Sequence, residues 1–244
     1  MSISPNRRVV GVLGGMGPGA TLEFMRRVLE ITQADSDQEH IRLIVDSNPQ
    51  VPDRTDFILA RGQDPRPALI AMAQGLEGAG ADFLVMPCNT AHYFLSDLQA
   101  SVGVPIVDWP VEVARAASVL GVRRTGVLAT TGTLVSGIYA RALDRFGIEY
   151  VVPSNDCQQG LMEAIYQIKH EGISRQRMAG IEGALHDLAS RQTDSCLLAC
   201  TEVSWACHGW EPGSAVRLVD GMDVVARHVV HLAGGNLKVG SALI

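Results

Sequence analysis

Residues 82–92 read DFLVMPCNTAH, and residues 195–205 read SCLLACTEVSW. Each is a short apolar run that ends in a cysteine, followed by one or two polar residues and a helix-like segment. A cysteine that merely fills a core belongs inside the apolar run, whereas Cys88 and Cys200 stand where the run ends. A second pair of landmarks lies upstream of each. VVGVLGGMGPGAT begins at Val9 and RTGVLATTGTLVSGIY at Arg124, both a Gly-Val-Leu strand that breaks into a Gly/Thr turn before a helix. Gly11 and Gly126 are 115 positions apart, and Cys88 and Cys200 are 112 apart. Two independent landmarks with nearly one offset point to two similar halves.

The rest of the chain fits that reading. Apolar runs suggest strands at Val9–Leu13, Ile41–Val45, Phe83–Met86, Ile106–Val107, Thr125–Ala129, Glu149–Val152, Cys196–Ala199 and Arg217–Val219. Spacings of three and four suggest helices at Ala20–Thr32, Pro67–Ala79, Ala91–Ala100, Pro110–Leu120, Gly137–Phe146, Leu161–His170, Arg175–Gln192 and Gly221–Ala233. Such alternation reads as α/β, with parallel sheets flanked by helices. The expected organisation is two pseudo-symmetric lobes, the first over 1–112 and rejoined by 221–244, the second over 113–220. Ligands in open parallel sheets bind beyond the carboxyl ends of strands, so the two cysteines are expected to face a cleft between the lobes.

Composition excludes several classes. With 47% apolar and 19% charged residues among 244, the chain is an ordinary globular protein with ample core. A net charge of −6 with scattered basic residues argues against nucleic acid as the main partner. No run approaches the ~18 apolar residues of a membrane span, and the N-terminal sequence lacks a signal peptide's apolar segment. Five cysteines, an odd number, do not form a disulfide framework, so a cytoplasmic setting is expected.

The glycine turn, Gly15-Met16-Gly17-Pro18-Gly19-Ala20, matches G-x-G-x-x-A but lacks a well-placed acidic residue, and Pro18 removes a backbone donor. It suits close approach of amides to a small anion at least as well as a dinucleotide. In DSNPQVPDRT (46–55) two prolines stiffen a loop from which Arg54 can clamp a carboxylate with a planar fork. A thiol just ahead of a helix meets free amides and the positive end of the dipole, which draw its pKa from about 8.5 toward neutrality. A thiol protease needs one cysteine with a histidine, but the repeat offers two matched cysteines and no matched histidine. Two opposed thiols, one ionised and one protonated, suit removal of a proton from one face of a carbon and delivery to the other. Cys196, Cys200, Cys207 and His208 fit no zinc spacing, and Cys157 and Cys196 read as packing residues. Lys169 and Lys238 are the only lysines; Lys169 is open to a helix-capping role, a second cation for a dicarboxylate, or a pyridoxal anchor.

With these residues in view, the chain resembles the aspartate/glutamate racemase superfamily, and within it the aspartate racemase branch. The resemblance spans nearly the whole length and rests on GGMGPGAT (14–21), SNPQVPDRT (47–55), PCNTAH (87–92), TGT (131–133), YQIKHEG (166–172) and ACTE (199–202). It implies a cofactor-independent two-base enzyme, an isomerase, acting on a small amino acid between two lobes, usually as a homodimer. Aspartate is the first expectation and glutamate the second. It implies Cys88 and Cys200 as the bases, Cys200 deprotonating the L-enantiomer and Cys88 the D. Met16, Gln50, Asn89, Thr90, Thr131, Thr133 and Thr201 match substrate-lining positions, and Arg54 and Lys169 the cations for a side-chain carboxylate. Glu202 stands where the glutamate racemase branch carries histidine. Asp108, Trp109, Trp205 and Trp210 are unusual near the expected cleft and raise the alternative of a bulkier or cyclic acid. A two-lobed ligand-binding protein without catalysis is the non-enzyme alternative.

Overall fold

The computed structural model describes residues 7–210 and 216–238. Its strands are β1 (Val10–Gly14), β2 (Thr32–Gln33), β3 (Leu43–Ser47), β4 (Phe83–Val85), β5 (Arg124–Leu128), β6 (Glu149–Val151), β7 (Ser195–Leu198), β8 (Arg217–Asp220) and β9 (Asn236–Leu237). Its helices are α1 (Pro18–Ile31), α2 (Arg54–Ile58), α3 (Arg66–Gly78), α4 (Leu95–Ser101), α5 (Trp109–Val119), α6 (Thr131–Ser136), α7 (Ile138–Asp144), α8 (Asn155–Glu171), α9 (Arg175–Ala189), α10 (Thr201–Ala206) and α11 (Gly221–Leu232). Two parallel sheets are formed, one in the order β3-β1-β4 and the other β6-β5-β7-β8.

The two repeated landmarks occupy matching places. Gly11 lies in β1 opposite Ile44 and Leu84, and Gly126 lies in β5 opposite Val151 and Cys196. Both glycines sit where neighbouring side chains crowd the backbone. A Cβ on Gly11 would lie 2.4 Å from Leu84 Cδ2, and one on Gly126 would lie 2.7 Å from both Cys196 Sγ and Leu188 Cδ1. The strand that precedes each cysteine, β4 or β7, then pairs directly with that glycine's strand.

Phe24 of α1, Trp109 and Val113 of α5, and Val225 and Val229 of α11 share one apolar cluster with residues of both sheets, among them Val10, Val85, Val127 and Leu197. These three helices join the sheets through a continuous core. α11 contacts α1 and α5 as well as β7 and β8, and β9 then pairs antiparallel with β2. Within this layer Arg27 of α1 is 1% exposed. It donates to Glu23 (2.8 Å), Asp220 (2.5 Å), Asp223 (2.8 Å) and the Ser204 carbonyl (2.7 Å). Breaking such a buried ionic cluster typically costs about 3–5 kcal/mol, because the remaining charges lose their partners.

Several local expectations are corrected. Ile106–Val107 is no strand; a single parallel bridge joins Leu84 to Ile106. The chain leaves the sheet there because the Asp108 carboxylate accepts from Val111 N (3.2 Å) and starts α5. The helix expected at 91–100 starts only at Leu95, because a 3-10 turn takes Asn89–Phe94. The helix expected from Gly137 starts at Thr131 and is interrupted at Gly137, whose φ of 68° is left-handed. Arg54 was expected on a loop but opens the short helix α2, capped by Asp53 accepting from Asp56 N at 3.0 Å. Residues 1–6 and 239–244 of the expected first lobe lie outside the described residues. Among those described, no helix is long and apolar enough to cross a membrane.

Two outcomes follow from the β5–β7 contact. Gly126→Ala is expected to lower stability by about 1–3 kcal/mol, as overpacking of a close-packed site does, measurable by urea unfolding. Burial pushes the Cys196 thiol up to about 11. The unfolded chain releases that proton once pH passes about 8.5, while the folded protein keeps it, so the contribution is complete below that pH and is lost toward pH 11. Cys196→Ala should therefore flatten the alkaline limb of a stability-against-pH curve.

Candidate active site

Cys88 and Cys200 are 5% and 3% exposed and occupy equivalent positions. Each has extended backbone and caps the turn that follows, Cys88 the 3-10 turn and Cys200 helix α10. The side chains behind each thiol find partners on the other half of the molecule. Asn89 Oδ1 accepts from the Tyr139 hydroxyl of α7 at 2.6 Å. Thr90 Oγ1 lies 3.0 Å from Thr130 Oγ1 and 2.9 Å from Thr133 Oγ1, and the last two are 2.9 Å apart. On the other side, Glu202 Oε1 accepts from Gly17 N in the glycine turn (3.3 Å), while its Oε2 accepts from Cys200 Sγ and Thr201 Oγ1, each at 3.2 Å.

The glycine turn is shaped for this approach. Thr21 Oγ1 accepts from Gly15 N (2.9 Å) and donates to Gly17 O (3.0 Å), which holds the turn against the start of α1. Gly19 lies under Trp205: a Cβ there would come within 2.6 Å of the indole. Trp205 thus packs α10 onto the glycine turn. Trp109, expected near the cleft, is instead fully buried in the core, with its ring 5.7 Å from Phe24 and 6.4 Å from His92.

Arg54 is 6% exposed. Its terminal nitrogens donate to the carbonyls of Val51 (3.0 Å), Pro52 (2.9 Å) and Met16 (3.2 Å). The proline-braced segment therefore closes on the guanidinium, and Nε is left buried without a partner. Asn89 Nδ2 and Gln158 Oε1 are likewise buried and unpartnered. Gln158 donates from Nε2 to Ala129 O (3.0 Å) and Thr131 Oγ1 (3.2 Å), so the Thr131 hydroxyl hydrogen is free to point elsewhere. Gln50 is exposed, and its backbone N–H is bonded to Asn48 Oδ1 rather than gathered with the buried group.

Lys169 ties the two thiols into one electrostatic neighbourhood. Burial pushes its ammonium down, but Glu202, Cys88 and Cys200 together outweigh that, and it lies above the ordinary lysine value, with Arg54 opposing. The Cys200 thiol departs from the sequence expectation. A helix start was expected to lower its pKa, yet it lies well above the ordinary cysteine value, first through burial and then through the Glu202 charge, with Lys169 opposing. A single short helical turn does not outweigh full desolvation beside a carboxylate.

The sequence reading missed four participants: Tyr139, Thr130, Gln158 and His92. Tyr139 and Thr130 lie in the repeated RTGVLATTGTLVSGIY segment, where their polarity ahead of and within a helix was a usable signal. His92 spans Cys88 O (3.0 Å, through Nδ1) and Val107 O (3.3 Å, through Nε2), bracing the cysteine turn from behind. Burial pushes its pKa below the usual value, against Asp108, so the ring is neutral and donates to one carbonyl only.

Two parallel sheets, each with a buried cysteine opening the turn at its carboxyl end, define the α/β scaffold. The Asp/Glu/Hydantoin racemase family description matches residues 13–229, and the chain belongs to that family. It is an amino-acid racemase, and hence an isomerase. Among solved structures, it is similar to aspartate racemase of Picrophilus torridus: TM-score 0.85 and 28% identity, covering 97% of this chain and 98% of that one. An aspartate racemase homologue of Pyrococcus horikoshii gives a TM-score of 0.73 at 26% identity, covering 93% and 99%. By sequence it is 29% identical over 203 residues to the broad specificity amino-acid racemase RacX of Bacillus subtilis, covering 80% of this chain and 86% of that one. It is also 32% identical over 174 residues to glutamate racemase of Ectopseudomonas mendocina, covering 69% and 65%.

The Cys200–Glu202 contact makes a direct test. Glu202→Gln removes a negative neighbour, so the Cys200 thiolate is expected to form at lower pH than in the parent. Thiolate absorbance during a pH titration reads this as the difference between proteins with and without Cys200. Cys207, pushed up to about 12 by burial, stays protonated through the neutral range and does not obscure it.

Proposed function

We propose that the protein interconverts the L- and D-forms of an acidic amino acid, aspartate first and glutamate second, using Cys88 and Cys200 as opposed proton carriers. The observation that carries this reading is that Cys88 and Cys200 are both buried and take equivalent positions, each opening the turn that follows the strand paired with β1 or with β5. A thiolate removes the Cα proton from one face, the electron pair is held as the carbanion, and the opposite thiol delivers its proton to the other face. Each turnover leaves the first cysteine protonated and the second ionised. In this scheme Cys200 is the base for the L-enantiomer and Cys88 for the D; burial and Glu202 push the Cys200 thiol up, which favours its proton-donating form.

Met16, Gln50, Asn89, Thr90, Thr131, Thr133, Thr201 and Glu202 are the proposed substrate-lining residues. The unpartnered Asn89 Nδ2 and the hydroxyl cluster offer donors to the α-carboxylate. Arg54 Nε and Lys169 offer charge for the distal carboxylate, which will not leave water uncompensated. No cofactor takes part in this scheme. The reading includes two lobes, 1–112 with 221–244 and 113–220, as the internal repeat suggests, a cytoplasmic setting, as the cysteine usage suggests, and a homodimer, as the family resemblance implies. The β2–β9 pairing supports the return of the chain's end to the first lobe.

A specific observation favours a second reading, a broader range of side chains. Glu202 stands beside Lys169, and Arg54 already serves three carbonyls, so less positive charge is free for a dicarboxylate than the sequence suggested. A panel of L-amino acids in D2O, followed by chiral and mass analysis, separates the two. Preference for aspartate and glutamate, lost in Arg54→Leu, supports the first reading; preference for neutral or bulkier substrates that survives Arg54→Leu supports the second. Cys88→Ala and Cys200→Ala are each expected to lower racemisation by about 10²–10⁴-fold. Near-parental racemisation by either variant would remove the two-thiol scheme.

A further inference from the structure

Asn89 follows Cys88 directly and is 3% exposed. Its amide has an acceptor end and a donor end, and their order decides what the cleft offers a ligand. The acceptor end is taken: the Tyr139 hydroxyl donates to Oδ1 at 2.6 Å. The donor end, Nδ2, is buried with no partner. Tyr139 is itself 2% exposed. Burial pushes its phenol well above the ordinary tyrosine value, so it keeps its hydrogen. A phenol that retains its proton in a dry site favours a carbonyl oxygen over an amide NH2, because only the carbonyl uses that hydrogen.

We infer that Tyr139 is a positioning residue that sets the Asn89 amide with both Nδ2 hydrogens turned toward the cleft beside Cys88. This rests on the racemase reading above, in which Asn89 Nδ2 is a donor to the substrate α-carboxylate, and adds the residue that orients it. The orientation has consequences on both sides of the turn. With Nδ2 toward the cleft, the carboxylate meets two N–H donors; with the amide reversed, it meets an oxygen that repels it. Tyr139 belongs to α7 on the side of the second sheet, while Asn89 follows β4 of the first. The amide is therefore set only when the two halves are assembled as in this structure.

The test uses full-length protein labelled with 15N-asparagine, together with steady-state racemisation. The Asn89 side-chain pair is identified as the signal lost in Asn89→Ala. In wild type the pair is expected as two resolved resonances; in Tyr139→Phe it is expected to shift and exchange. Because L- and D-forms are equally stable, kcat/KM must be equal in both directions, and Tyr139→Phe is expected to lower it about tenfold for each, through KM more than kcat. In an Asn89→Ala background the same substitution is expected to have no further effect, since there is no amide left to orient. An unchanged Asn89 pair in Tyr139→Phe overturns the inference, as does an equal loss from Tyr139→Phe with and without Asn89. A wild type that exchanges no Cα proton in any amino acid instead removes the functional reading, and the amide spectrum still decides the role of Tyr139.

Discussion

Buried polar groups must find partners, and at the carboxyl ends of the two sheets those partners belong to the opposite half. Asn89 Oδ1 and Thr90 Oγ1, behind Cys88, are satisfied by Tyr139, Thr130 and Thr133. Glu202, behind Cys200, is satisfied in part by Gly17 at the end of the first sheet. Leaving such groups unpaired costs about 1–3 kcal/mol each, so the hydrogen bonds reward one arrangement of the halves over its neighbours. The apolar layer of α1, α5 and α11 supplies the bulk of the attraction between the sheets. The polar contacts decide how the thiol turns are presented.

That reciprocity also explains why the two thiols are not equivalent, despite their equivalent positions. Cys200 donates to a carboxylate two residues further along the chain, and that carboxylate accepts from the Gly17 backbone amide of the other half. Cys88 has no carboxylate in the corresponding place, because Thr90 stands there. A repeated fold thus carries an unsymmetrical distribution of charge.

The buried ionic cluster at Arg27 acts further back. One guanidinium reaches Glu23 on its own helix, Asp220 and Asp223 at the start of α11, and the Ser204 carbonyl in α10. The helix that follows Cys200 is therefore held from its far end by α1, the same helix that leaves the glycine turn. Trp205 over Gly19 adds a close apolar contact between the same two segments. The Cys200 turn and the glycine turn are coupled at three points, which leaves little freedom to vary the distance between them.

The α/β class and the matched placement of Gly11 with Gly126 and of Cys88 with Cys200 were legible in the chain, because each rests on local pattern. Apolar runs of four or five residues, glycines at the turn and a cysteine at the end of a run depend only on neighbours a few positions away. The helix start at Thr131 and the short helix at Arg54 were not legible, since each hangs on a capping side chain competing with nearby glycines and prolines. What the tertiary structure alone decided is the state of the site: that burial and Glu202 hold the Cys200 thiol protonated, that Arg54 is wrapped by three carbonyls, and that Tyr139 meets Asn89 from 50 residues away. Desolvation and hydrogen-bond partnership depend on what lies across the cleft, and a sequence pattern read along one strand at a time carries no term for that.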